Sequence, residues 1–225
     1  MVNLPHVHRH ARRNPCAVLL AVQLVGIVIY PFLGAQPLSR AIFGIFSMLV
    51  LVLALRAVRI TPALTWVALL LGLPLLVLTV IEGINPHHHN VALASALLHA
   101  AFYFYTVIAL IRYMFADEVV TTDELYATGA TFTVAAWAFA YVYAATQLIW
   151  PGSFTAAVNA TDPRSWTDLL FLSVTTMTST GLSDIVPVRA HARSFVMLEQ
   201  IAGMLYIALV VARIIALTTR RKVER

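Results

Sequence analysis

The stretch Thr176-Met-Thr-Ser-Thr-Gly-Leu-Ser-Asp-Ile-Val-Pro187 sets hydroxyls at Thr176, Thr178, Ser179, Thr180 and Ser183 around one glycine, Gly181, and ends on the carboxylate of Asp184. Backbone carbonyls and hydroxyl oxygens arranged around a common axis can replace the water around a cation. Gly181 contributes differently: it lets the backbone turn its carbonyl through a conformation that side chains oppose. No nucleophile–base constellation and no set of metal-ligating side chains accompanies the run, so enzymatic activity is not expected.

Such a stretch needs elements that hold it at a defined depth. Before it, Pro163-Arg-Ser-Trp-Thr-Asp168 has the composition of a helix start, and Leu169-Leu-Phe-Leu-Ser-Val-Thr-Thr-Met177 reads as an apolar half-helix. The whole connection, 151–193, lies between two long apolar segments. A half-length helix followed by irregular polar chain is a re-entrant loop, because irregular backbone at membrane depth is tolerated only where it is buried in protein or lines water. Trp166, Phe171 and Met177 are expected to hold the loop by packing.

Composition agrees with a membrane setting. Of 225 residues 60% are hydrophobic and 11% charged, and the mean hydropathy is +0.84; soluble domains carry about twice that share of charge. Six stretches approach the roughly 20 apolar residues that a hydrocarbon core requires: 16–34, 40–58, 63–82, 91–114, 129–150 and 194–217. Pro15, Pro62 and Ser194 sit near expected helix starts, whereas Pro31 and Pro74 could kink their spans. The first run is long and lacks a clean cleavage signature, so it reads as a retained span rather than a signal peptide.

The net charge of +5 does not indicate nucleic acid, because the basic residues cap apolar runs instead of forming one face. With the N-terminus inside, eleven basic residues (Arg9, Arg12, Arg13, Arg56, Arg59, Arg112, Arg213, Arg220, Arg221, Lys222 and Arg225) face the cytoplasm. Four (Arg40, Arg164, Arg189 and Arg193) face outward, a positive-inside bias that makes both termini cytoplasmic. Cys16 is the only cysteine, which excludes an internal disulfide. A chain rich in arginine and alanine with Lys222 as its one lysine points to a bacterial plasma membrane.

Residues 176–187 resemble the potassium-channel filter and its flanks, T-x-T-T-V-G-Y-G-D-x-x-P. Thr176, Thr178, Gly181, Asp184 and Pro187 match, while Ser179, Thr180, Leu182 and Ser183 stand where the family has threonine, valine, tyrosine and its second glycine. The order of span, half-helix, filter and span is also similar. The resemblance implies a homotetramer in membrane lipid, with Thr178, Ser179, Thr180, Gly181, Leu182, Ser183 and Asp184 forming the filter. Bound K+ or Na+ ions would sit among its oxygens, with no other cofactor. It further implies a gating glycine in the last helix; Gly203, 22 residues after Gly181, is the candidate, with helix packing as the other reading. Leu182 lacks the tyrosine hydroxyl and Ser183 is not glycine, so weakly selective monovalent conduction is the alternative to potassium conduction. A non-conducting sensor or scaffold and a transporter subunit are the remaining alternatives. The single-glycine filter also resembles Trk/Ktr transporters, which carry four such loops in one chain.

The expected architecture is therefore an all-α integral membrane protein with six transmembrane helices plus a re-entrant pore helix and filter loop. It divides into a basic tail (1–15), a four-helix membrane domain (16–115), a cytoplasmic linker (116–128), a pore domain (129–217) and a tail (218–225). The pore domain contains a pore helix at 164–177, the filter at 178–184 and an inner helix at 194–217. The fourth span has His99 and a terminal Arg112 but no arginine repeat, so a conventional voltage sensor is not expected. His99 reads as a hydrogen-bonded structural histidine. His87-His88-His89 read as a solvated loop, although three imidazoles could also bind zinc, and His6, His8 and His10 read as headgroup-facing. Asp117, Glu118, Asp123 and Glu124 read as a solvated linker, with pairing to Arg56, Arg59 or the basic tail as the alternative. Glu199 and Gln200 lie behind the filter, where either could bond to the loop or Glu199 could pair with Arg193.

Overall fold

The computed structural model describes residues 14–29, 32, 49–50, 53, 62–84, 88–116 and 121–223. Its helices are α1 (Pro15–Ile29), α2 (Pro62–Ile84), α3 (His89–Met114), α4 (Thr122–Ile149), α5 (Trp166–Met177) and α6 (Ala190–Val223), with short strands β1 (Phe154–Thr155) and β2 (Val186–Pro187) flanking α5. The protein is a mostly helical membrane protein. Among the described residues, α3, α4 and the Ala190–Arg213 portion of α6 are long and apolar enough to cross a bilayer. α1 and the Leu70–Ile81 portion of α2 are shorter apolar helices. All but residues 49–50 and 53 of the expected span at 40–58, together with Pro31, Arg56, Arg59, His6, His8, His10, His87, Asp117 and Glu118, lie outside the described residues.

The central element is α4, which packs against α1, α3, α5 and α6. Its sequence explains the position. Ala127, Ala130, Ala135, Ala136, Ala138 and Ala140 are buried on several sides, and small residues let neighbouring helices approach without a hydrophobic driving force. A helix that is apolar all round belongs inside a bundle. Trp137, Tyr103, Phe102 and Leu110 fill the space between α4 and α3. Tyr103 meets Trp137 edge-on at 6.0 Å, and Trp137 meets Trp166 of α5 edge-on at 5.1 Å.

Two helix starts differ from those expected, and one strand pair was not expected at all. The helix expected from 129 starts at Thr122, since Thr121 caps it by accepting the Glu124 amide at 3.3 Å and donating to Glu124 Oε1 at 3.1 Å. Much of the proposed linker at 116–128 is therefore helix. The inner helix starts at Ala190 rather than 194, and Ser194 is not its cap: its hydroxyl donates back to the Ala190 carbonyl at 3.1 Å. The all-α description also omits β1–β2, an antiparallel pair in which Phe154 opposes Pro187 and Thr155 opposes Val186. This ribbon joins the chain just before the re-entrant segment to the chain just after it.

α5 begins with a capping box: Ser165 Oγ accepts the Asp168 amide at 3.2 Å, and Asp168 Oδ2 accepts the Ser165 amide at 3.0 Å. Ser165→Ala is expected to destabilise the protein by about 1 kcal/mol, measured as a lower unfolding temperature in detergent.

Candidate functional site

Residues 178–184 extend from the C-terminus of α5. Thr178 caps that helix, its amide bonding to the Val174 carbonyl at 3.0 Å and its hydroxyl to the same carbonyl at 2.7 Å. The next turn gathers on the Thr175 carbonyl, which accepts the amides of Thr180 at 3.0 Å and Gly181 at 3.1 Å together with the Thr180 hydroxyl at 3.2 Å. Thr178 and Thr180 share a hydroxyl–hydroxyl hydrogen bond at 3.0 Å. The amides thus point back into the protein. Among the described residues, no hydrogen bond is accepted by the carbonyls of Thr178, Ser179 or Thr180. Further out, the Gly181 carbonyl accepts the Ser183 amide at 3.0 Å, and Ser183 Oγ accepts the Ile185 amide at 3.1 Å.

Two residues of the loop adopt the left-handed backbone, Ser179 with φ 58° and Gly181 with φ 62°. For Gly181 this conformation carries no side-chain penalty, and a Cβ there would meet nothing within 4 Å. Ser179 is the strained position. Ser183, which stands where the family pattern has its second glycine, does not have positive φ. Within the single chain Ser179, Thr180, Gly181 and Leu182 are exposed, Leu182 to 77%. Asp184 lines a 310 Å³ recess on the other side of the loop, shared with Asp162, Arg164 and Asp168.

The support behind the loop comes from residues that sequence patterning only partly identified. Met177 is buried and Trp166 packs on Trp137, but Phe171 is 45% exposed and does not brace the loop from inside. Leu169, Leu172 and Ser173 face inward instead. Arg164 is buried and donates to the carbonyls of Asp162, Asn159 and Val158. Its backbone amide and carbonyl pair with the Gln147 side chain at 3.0 and 2.9 Å. A long loop before a short helix needs its carbonyls satisfied, and neither Arg164 nor Gln147 belongs to a recognisable motif.

Gly203 lies against α5. A Cβ on it would clash with the Met177 carbonyl oxygen and stand 3.0 Å from that residue's Cα and carbonyl carbon. Of the two readings of this glycine, the contact supports packing. Glu199, one turn earlier on α6, is fully buried and accepts hydrogen bonds from Tyr143 of α4 and Ser173 of α5. It does not pair with Arg193, whose Nε donates to the Pro187 carbonyl at 3.2 Å.

At the opposite end of the spans Asp123 and Glu124 are not solvated. Asp123 is buried and accepts the Cys16 amide at 3.1 Å and the Tyr113 hydroxyl at 3.0 Å, tying the start of α1 to the end of α3. Glu124 forms a salt bridge with Arg213 of α6 at 3.0 Å, and the Arg213 guanidinium lies 4.7 Å from the centre of the Phe115 ring. The Tyr206 hydroxyl donates to the Thr128 carbonyl at 2.6 Å. His99 is buried within α3, its Nδ1 2.9 Å from the Ser95 carbonyl and its ring stacked on Tyr141 at 4.3 Å. His88 and His89 are exposed where α3 begins.

Comparison with known families adds one finding. Residues 130–220 match a family model described as an ion channel, a range that takes in most of α4, the re-entrant segment and α6 as far as residue 220. No curated protein and no solved structure matches the chain. The match supports an ion-channel identity for a membrane protein of this helical form.

Proposed function

We propose that the chain is one subunit of a homotetrameric potassium channel in which four copies of the 178–184 loop surround a common axis. Carbonyls and hydroxyls of Thr178, Ser179, Thr180, Gly181, Leu182 and Ser183 replace the hydration shell of K+, and Asp184 raises the local cation concentration near the outer mouth. The observation that carries this reading is the loop itself: it follows a twelve-residue helix, its amides turn back onto Thr175, and its opposite side is exposed. Membrane-length helices on both sides, and the ion-channel match across all three elements, support it.

Four-fold assembly also supplies surfaces that α6 lacks within one chain. Only 28% of its membrane-length window is buried, against 61% for α4, and Met197, Leu198, Ile201, Met204 and Leu205 are exposed. Neighbouring subunits and lipid would cover this apolar face. The charge bias favours a multi-pass plasma-membrane protein with both termini cytoplasmic. The clustering of the α1 start, the α3 end, the α4 start and Arg213 at one end is compatible with that orientation.

A second reading, weakly selective monovalent cation flow, draws on Leu182 and Ser183. An exposed leucine cannot provide the hydroxyl of the family's tyrosine, and a serine adds a side chain where the family has glycine.

Flux through purified protein in liposomes, compared for potassium, sodium and a larger cation, tests both readings. Potassium flux is expected to exceed sodium flux and to fall about tenfold or more in Gly181→Ala. Alanine meets no steric obstacle there, but the left-handed backbone costs a residue with a Cβ roughly 1–2 kcal/mol. Equal potassium and sodium flux would select the second reading. Absence of flux from an assembled tetramer under every gradient, pH and voltage would remove the channel proposal.

A further inference from the structure

The pore helix and the inner helix meet through two contacts of the same spacing. Ser173 and Met177 are four residues apart on α5, and Glu199 and Gly203 are four residues apart on α6. Four residues bring side chains onto one helix face. Ser173 therefore meets Glu199 and Met177 meets Gly203, one turn further along both helices. The lower contact is steric, a backbone carbonyl against a glycine. The upper one is polar and includes a third helix. Tyr143 of α4 donates to one Glu199 oxygen, Ser173 bonds to the other, and Ser173 Oγ also lies 2.8 Å from the Ala136 carbonyl of α4.

Glu199, Tyr143 and Ser173 all have 0% exposure. Their apolar surroundings include Phe139, Leu169, Leu172 and Val196. A carboxyl placed there cannot exchange its partners for water, so the three-helix arrangement is held or lost as a unit. The steric contact alone limits how closely the helices approach, but a glycine beside a backbone carbonyl does not fix rotation or sliding. The carboxyl does both, because its two oxygens must meet hydroxyls from two different helices.

Resting on the channel reading above, we propose that Glu199 is a positioning residue for the filter: it sets the register of α5 on α6 and thereby the depth at which residues 178–184 begin. The filter lacks the tyrosine hydroxyl that its family uses at the position of Leu182, and Glu199 anchors the pore helix from the other end. It touches no permeating ion. Its effect passes through Ser173 to Met177 and then to Thr178.

The test is the reversal potential of purified protein in planar bilayers under mixed potassium and sodium gradients, for wild type, Glu199→Leu, Glu199→Gln, Ser173→Ala and Tyr143→Phe. Glutamine can accept from Tyr143 and donate to Ser173, leaving the serine proton for the Ala136 carbonyl, so Glu199→Gln is expected to keep the potassium-to-sodium permeability ratio within about twofold. Glu199→Leu is expected to lower that ratio about tenfold, equivalent to about 1.4 kcal/mol of lost discrimination. The two single-hydroxyl variants should lie between them. A Glu199→Leu tetramer that conducts with the wild-type ratio overturns the proposal while leaving the channel reading intact.

Should Glu199→Leu fail to assemble, Ser173→Ala and Tyr143→Phe carry the test, since each removes one hydroxyl and keeps the fold's volume nearly unchanged. Unchanged ratios in both variants count against the proposal. A second readout needs no conduction: the difference in thermal stability between potassium and sodium buffers should shrink in Glu199→Leu and persist in Glu199→Gln. Wild type that neither conducts nor distinguishes the two ions would remove the channel reading, and this inference with it.

Discussion

Alanine at Gly203 is expected to stop cation flux and to destabilise the protein by about 1–3 kcal/mol, the usual cost of overpacking a well-filled site. The reason is local and geometric. The added methyl would press into the Met177 carbonyl oxygen well inside van der Waals contact, with that residue's Cα and carbonyl carbon each 3.0 Å away. These are backbone atoms, so no flexible side chain can yield. Either α6 moves away from α5 or the C-terminal turn of α5 shifts, and Thr178 follows directly on that turn. The stability loss is read from thermal unfolding in detergent, and the functional loss from liposome flux. By contrast, a glycine that acted only as a flexible hinge would tolerate alanine sterically, leaving assembly and unfolding temperature near wild type. A stable, conducting Gly203→Ala protein would therefore show that α5 and α6 are not closely packed in the working assembly.

The second large effect is expected at the other end of α6. Glu124 and Arg213 retain 7% and 13% side-chain exposure, so removing either residue breaks a largely buried salt bridge. Glu124→Leu and Arg213→Leu should each cost about 3 kcal/mol, the lower end of the range for breaking a buried pair, because some exposure remains. The double variant should cost less than the sum, since each single variant already breaks the pair, and a double-mutant cycle measures the difference. Arg213→Lys is a sharper comparison. It preserves the charge but not the planar guanidinium over Phe115, and an ammonium cannot reproduce that stacking together with the bond to Glu124. An intermediate unfolding temperature for Arg213→Lys is expected. Additive effects in the cycle would mean that the two residues act independently. Because the pair joins the start of α4 to α6, its loss should also change the fraction of time the pore conducts, measured as open probability in planar bilayers.

Both effects involve residues of ordinary type at positions that carry no motif, and this marks the limit of sequence reasoning here. The apolar runs were legible because a bilayer imposes length and composition on whatever crosses it. That logic located α3, α4 and most of α6 from the chain alone. The half-helix at 166–177 was legible because Ser165 and Asp168 announce a helix start and the apolar run is too short to span. Helix ends were less legible: Thr121 and Glu124 looked like a polar linker until their cap placed α4 seven residues earlier than expected.

Polar partners were hardest to assign. Asp123 and Glu124 read as solvated, yet their partners Cys16, Tyr113 and Arg213 come from three different helices, with separations of 107, 10 and 89 residues. Such pairing depends on how helix ends converge, which local patterning does not encode. The same holds for Glu199, whose partners lie 26 and 56 residues away. Left-handed backbone at Ser179 was similarly hidden, because serine has no intrinsic preference that signals it.

By itself, then, the sequence determined that the chain enters a membrane, that a short helix interrupts the spanning pattern before α6, and that an oxygen-rich loop with one glycine follows it. These are consequences of transfer free energy, helix length and backbone sterics, each of which acts within a few consecutive residues. Only the tertiary structure decided what holds that loop: the Thr175 carbonyl beneath it, Gly203 against Met177, and the Glu199 carboxyl joining three helices. Those choices depend on which faces of separate helices meet, and they are made by packing complementarity across distances along the chain that no local pattern reaches.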